Sequence, residues 1–228
     1  MKKLANLTAA VLVSSLVLAG CGDSDKDAKS SDDAASQTSE SPSDDASDNA
    51  SEDGAEDPSA DSSDDTDDTA KSDFGKPADG ATVKGAGYSY SIPSDWKDIT
   101  KEAKKVQQSV DTAAGVAKPS GTFRSNLNVG INDAPGTTLD QLEKAVPAQL
   151  KSMSPNLKSL PRVSIDGHEA IHHRGDASQQ GTKYFLEQFA TIDDDGKVMI
   201  LTFSFDPDTK QADRDKVINS VLAGLKFD

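Results

Sequence analysis

His168-Glu169-Ala170-Ile171-His172 is the stretch whose residue types and spacing could do chemistry. It matches H-E-x-x-H. On a helix, two histidines four apart share a face and can hold one Zn²⁺, with the intervening glutamate as general base. Gly175 falls where the extended form of the pattern places a glycine, but Ser178 stands where a third histidine would be. A glutamate third ligand downstream could be Glu187, but it follows His172 by only 15 residues, short for that arrangement.

The elements around the motif argue against that use. Asp166-Gly167 directly before His168 marks a tight turn and leaves no apolar helix leading in. A strand over His168–Arg174 would set the two histidine Cα atoms ~13 Å apart, at ~3.3 Å per residue. Two ligands at ~2.0 Å cannot then share an ion. The favoured reading is a half-exposed hairpin strand with three surface histidines, His168, His172 and His173. A zinc peptidase built on His168, Glu169 and His172 is the alternative, and a pH-responsive histidine cluster is a third.

Other signatures fail on their own terms. With Gly196 counted as the sixth position of a calcium loop, Asp193-Asp194-Asp195-Gly196 would place Thr191 first and Thr202 last, and neither is the carboxylate required. There is no G-x-S-x-G, P-loop or dinucleotide fingerprint, and no basic patch with interleaved aromatics. The sequence therefore implies no cofactor, no metal, no catalytic set and no nucleic-acid partner.

The one cysteine lies elsewhere. Lys2 and Lys3 precede an apolar run from Leu4 to Ala19, about 16 residues, the layout of a secretory signal. That is short of the ~20 residues needed to span hydrocarbon. Leu18-Ala19-Gly20-Cys21 resembles the bacterial lipobox, which implies that residues 1–20 are a signal peptide. Cys21 would be lipidated and become the first mature residue. Two acyl chains, at ~0.8 kcal/mol per buried CH₂, hold a protein at a membrane where one does not. With Cys21 so used, the exported part has no disulfide and depends on its core.

From Gly22 to Asp73 there are 16 Asp and 3 Glu against Lys26, Lys29 and Lys71, and no aromatic residue. Such a composition cannot bury enough apolar surface to offset the ordering of its backbone, so residues 21–80 are expected to be a disordered acidic tether. As a flexible coil, its r.m.s. span is roughly 40 Å, lengthened by self-repulsion. The whole chain is −15. The segment Gly22–Asp73 is −16 and Phe74–Asp228 is −1, so the acidity belongs to the tether. It would be repelled by nucleic acid and by anionic head groups.

Residues 81–228 suit one domain. Tyr88, Tyr90 and Ile92 alternate with serines as a strand, closed by a turn at Pro93-Ser94-Asp95-Trp96, with Trp96 a plug over the sheet end. Ile99, Ala103, Val106 and Val110 mark a helix with Thr100 as a candidate cap, and Gly115–Gly121 reads as a loop. Phe123, Leu127, Val129 and Ile131 form one face of a strand whose other face is partly polar. Thr137 or Thr138 caps a helix carrying Leu139, Leu142, Val146, Leu150 and Met153, with Pro147 a kink point inside it. Val163 and Ile165 form a short strand. Tyr184–Ile192 and Val198–Phe205 are apolar on both faces, which places this hairpin at the centre of a sheet covered on both sides. A last helix carries Ala212, Val217, Ile218, Val221, Leu222 and Leu225. The fold class is α+β: a mainly antiparallel sheet with helices on both faces, an α/β/α sandwich.

Tyr88-x-Tyr90-x-Ile92-Pro93-x-x-Trp96, Asn126-Leu127-Asn128-Val129 before a helix and Val163-x-Ile165-x-Gly167-x-x-Ala170 resemble the PsbP/Mog-like fold over roughly Gly87–Phe227. With the lipobox and acidic spacer, the chain resembles actinobacterial lipoproteins of the LpqN type. The resemblance implies a non-enzymatic binding or assembly module on the extracytoplasmic face of the cell membrane. Its expected partners are the membrane, through lipidated Cys21, and an envelope protein or small ligand whose identity the residues do not give.

Overall fold

The computed structural model describes residues 72–119 and 123–228; Cys21, the apolar run before it and nearly all of the acidic segment lie outside them. The chain runs β1 (Thr82–Lys84), β2 (Tyr88–Ser91), β3 (Trp96–Asp98), α1 (Thr100–Val106), β4 (Thr112–Val116) and β5 (Asn126–Asp133). It continues α2 (Leu139–Leu150), β6 (Lys158–Ile165), β7 (His168–Gln179), β8 (Thr182–Ile192), β9 (Lys197–Phe205), α3 (Gln211–Ala223) and β10 (Lys226–Phe227). Seven strands form one sheet in the order β3-β4-β5-β9-β8-β7-β6, and β1-β2-β10 form a small second sheet. Every pairing is antiparallel.

β9 takes the central place because Val198–Phe205 is apolar on both faces, and all of these residues are buried. Its odd-numbered residues, Leu201, Phe203 and Phe205, meet α3 through Ile218, Val221 and Leu222. Its even-numbered Val198 and Ile200 join Leu186, Ala190 and Ile171 of β8 and β7 under Leu142, Val146 and Leu150 of α2. This is the expected sandwich, with one addition. The small sheet shares the α3 face, supplying Val83, Tyr88 and Tyr90 to the same core. The Tyr88 and Tyr90 hydroxyls converge on Thr112 Oγ1 at 2.7 and 3.3 Å, tying the two sheets together. Burial raises both phenol pKa values well above the ordinary range.

Local chemistry sets the boundaries. Thr138 caps α2 in a full capping box: its Oγ1 accepts from the Gln141 N–H, and Gln141 Oε1 accepts from the Thr138 N–H at 3.0 Å. Pro147 sits inside α2 without ending it. Asp166 and Gly167 turn β6 into β7 with φ of +50° and +92°, the left-handed pair that a two-residue hairpin needs.

Four short strands escape the sequence reading. β1, β3 and β10 have two or three residues each, too few to show a period. β4 is not anticipated at all, and its last two residues, Gly115 and Val116, fall in the Gly115–Gly121 stretch that reads as a loop. Its Thr-Ala-Ala-Gly-Val sequence has no alternation, yet Thr112, Ala113 and Ala114 are buried. Small size is required there, since a Cβ on Gly115 would come 3.0 Å from Ile99 Cδ1 and 3.1 Å from Ser125 O. Thr100 does not cap α1. Ile99 holds that position, and the Thr100 hydroxyl instead accepts from the Ala113 N–H at 2.9 Å. Val106 is the exposed apolar residue of α1, 69% accessible.

Residues 72–80, ahead of the Ala81 boundary, lie against α3. The Ala78 N–H donates to Ser220 O, Phe74 packs on the core, and the Ser164 N–H on edge strand β6 donates to Ser72 Oγ.

Candidate functional site

The H-E-x-x-H residues lie on β7, an extended strand paired on both sides. Side chains alternate, so His168 and His172 face α3 while Glu169 and His173 face α2. Each residue has its own partner. His168 Nε2 lies 3.3 Å from Asp194 Oδ1, and its ring sits against Phe227 at 4.3 Å. Glu169 Oε2 accepts from Arg162 Nη1 at 3.1 Å. His172 Nε2 lies 2.7 Å from Glu187 Oε1, and its ring stacks on Phe189 at 4.2 Å. The three do not converge, and no group of three metal-ligating side chains occurs among the described residues. The histidines are not all on the surface: His173 is 1% exposed.

Two charge clusters take up the carboxylates around the motif. Arg162 of β6 bridges Asp140 and Glu143 of α2 and Glu169 of β7, pinning the helix to the sheet edge. Those carboxylates raise its pKa, and Arg162 holds the Asp140 carboxyl below its usual range. On the other face, buried Glu187 accepts from Arg174 Nη2 at 2.9 Å on the same oxygen that meets His172. Each cluster ties elements together through its ion pairs, Arg162 joining β6 to α2 and β7, and Glu187 joining β8 to β7.

Of the open clefts, one of about 770 Å³ between residues 72–75, the β6–β7 turn and the end of α3 includes Glu169 in its lining, and a more apolar one lies at the end of the sheet where β3 and β5 begin and β4 and β9 end. A cleft of about 580 Å³ is lined there by Trp96, Val116, Phe123, Phe205 and Val217, with Asp95, Asp206, Asp213 and Lys118 among its polar residues. The aromatic floor is held rigidly. Trp96 and Phe205 meet edge-on at 6.5 Å, and Phe205 stacks on Phe203 at 6.2 Å. The Ala117 N–H donates to Asp95 O at 2.8 Å, and the Asp206 N–H donates to Ser125 Oγ at 3.2 Å, fixing two walls. A third cleft of about 590 Å³ shares Asp95, Asp213 and Val217 and continues along α3 to Phe74. The volume suits a drug-sized or side-chain-sized guest, as does a mostly apolar lining with a few polar groups.

The sequence reading found Trp96 as a plug, and it is 6% exposed. It did not find the cleft. The signal was there in part: the turns Pro93-Ser94-Asp95-Trp96 and Asp206-Pro207-Asp208 both close strands at this one end, and each carries an acid. Their proximity depends on β3, the strand the pattern hides.

No family model and no curated protein matches this sequence. Solved structures with a similar course of the backbone include LpqN of Mycobacterium tuberculosis, described as involved in cell envelope biogenesis. It is 14% identical over 64% of this chain and 88% of that one, with a TM-score of 0.49. Cyanobacterial PsbP of Synechocystis is 15% identical over 65% of this chain and 92% of that one, with a TM-score of 0.44. A Bacteroides thetaiotaomicron protein is 14% identical, with a TM-score of 0.41; the match covers 64% of this chain but only 47% of that protein. At these values the site rests on this chain's own residues.

Proposed function

We propose that this protein is a lipid-anchored, extracytoplasmic, non-enzymatic binding module. Lipidated Cys21 holds it at the membrane, the acidic segment spaces the domain away, and the Trp96–Phe205 cleft receives an apolar part of an envelope protein or a small ligand. The cleft carries this reading, because it is an open apolar cavity with a rigid aromatic floor. The zinc-peptidase alternative has no support from the geometry, since Glu169 and the two motif histidines face opposite ways into separate partners.

Trp96 is the chain's only tryptophan. Its emission should therefore respond saturably to a neutral apolar probe such as octanol, and Val217→Arg, which fills the cleft, should abolish the response. An unchanged response in that variant, with folding intact, would remove the cleft from the proposal. The anchor is tested separately. Cys21→Ser should move the protein from the membrane fraction to the medium or leave it unprocessed, and membrane retention of a processed Cys21→Ser protein would defeat it. Hydrolysis of a peptide or ester that is lost in Glu169→Gln would end the non-enzymatic reading.

A further inference from the structure

We propose that the Trp96–Phe205 cleft selects ligands that carry a cationic head group on an apolar body, a selectivity that rests on the cleft being the ligand site. Three carboxylates from three elements converge on it: Asp95 before β3, Asp206 after β9 and Asp213 in the first turn of α3. Lys118 is the one cation lining the same cavity, so the lining bears a net −2. The domain as a whole is close to neutral, −1 over Phe74–Asp228, so this bias is local to the cleft.

The acids are available to a guest. Asp95 and Asp213 are exposed. Among the described residues, neither carboxylate takes part in an ion pair or hydrogen bond. Asp206 has one oxygen turned to its own loop, where Oδ1 accepts the Asp208 N–H at 3.0 Å. An anionic guest would look first to the positive end of α3. That end carries Asp213 within its first turn beside Lys210 at the cap, and Asp206 lines the same cavity, so an anion there would meet two carboxylates against one cation. Trp96, Phe123 and Phe205 line the same cavity. Carboxylates and aromatic rings in one cavity are the pairing that recognises an ammonium or guanidinium joined to an apolar body, through Coulomb attraction to the acids and contact with the rings.

The chemistry predicts an order among three probes of equal chain length. The full chain carrying Cys21→Ser, so that no acyl group competes, is titrated with octylammonium, octanol and octanoate below their aggregation limits while Trp96 emission is followed. Octylammonium should bind about fivefold or more tighter than octanol, the return of one or two partly exposed ion pairs, and octanoate should bind more weakly than either. Raising the salt should narrow the gap, since exposed charges are screened within ~8–10 Å. Asp95→Asn with Asp213→Asn, whose side chains serve no internal contact, should bring octylammonium to within about twofold of octanol. Thr209→Lys, placed on the same lining, should turn the preference towards octanoate; its backbone bonds to Asp206 and Arg214 are untouched. Equal affinity for octylammonium and octanol, or selectivity that survives the double variant, would overturn the proposed selectivity while leaving the cleft as a binding site. Silence towards all three probes would overturn the cleft itself.

Discussion

Glu169 and His172 stand on opposite faces of one strand, with Glu169 on Arg162 at 3.1 Å and His172 on Glu187 at 2.7 Å. A three-residue offset gives a shared face on a helix and opposed faces on a strand. The purified protein should hold no stoichiometric zinc by elemental analysis. His168→Ala and His172→Ala should leave that result unchanged. One bound equivalent of zinc that is lost in His172→Ala would restore the metal reading.

His173 is buried against α2, and neither ring nitrogen has a hydrogen-bond partner among the described residues. Burial lowers its pKa from the ordinary 6.5; neighbouring His172 lowers it further, and Glu143 opposes both. The unfolded chain therefore takes up this proton first. The folded state has its full stability above the ordinary histidine range and loses stability as pH falls through that range towards the lowered folded value. The thermal midpoint should drop between about pH 7.5 and about pH 5.5, and His173→Gln should lose less over the same interval. An equal loss in both proteins would assign the effect to other groups.

Arg162 binds three carboxylates from two elements, so its loss leaves Glu143 and Glu169 facing each other without a counter-charge. Arg162→Ala should destabilise by about 1–2 kcal/mol, at the upper end for a partly exposed network, and 1 M salt should shrink the difference. Chemical denaturation of both proteins at low and high salt measures this. Asp140→Asn should have a much smaller effect, because its carboxylate is in open solvent.

Thr138→Ala removes one half of the α2 capping box and should cost about 1 kcal/mol. Thr137→Ala should be close to neutral by the same denaturation measurement. Both threonines stand ahead of the same apolar stripe, and the three-residue spacing to Gln141 is the sequence signal that favours Thr138. The structure selects it, because the Gln141 N–H donates to Thr138 Oγ1 at 3.3 Å.

Strong periods were legible and weak ones were not. Leu139 to Leu150 and Tyr184 to Phe205 repeat long enough to declare a helix and a central hairpin, and the structure agrees. β4 was hidden because Ala113, Ala114 and Gly115 are small and show no hydrophobic alternation, although the two alanines are buried and a Cβ on Gly115 would come 3.0 Å from Ile99 Cδ1. Asn126 and Asn128 read as a partly polar face of β5; both are buried, and the Asn128 side-chain amide donates to Asn126 Oδ1 at 2.8 Å. Asp95, Asp206 and Asp213 are far apart in the chain and each suits its own turn or helix start. Only the order of strands brings them to one cavity.

The small sheet has a consequence for how the chain reaches its final form. β6 to β9 pair with immediate neighbours, but β2 finds its second partner only in β10, at the far end of the folded unit, where the Asp228 N–H also reaches Gly87 O. Asp166, in the β6–β7 turn, receives the Phe227 N–H at 3.0 Å and the Lys226 ammonium. Burial pushes its carboxyl pKa up, but these two partners bring it below the usual range. Local hairpins close early and distant pairings late. As the chain emerges, β2 therefore waits with one edge unpaired until residues 226–228 arrive. That interval is when β2 would be open to a chaperone or to another copy's strand.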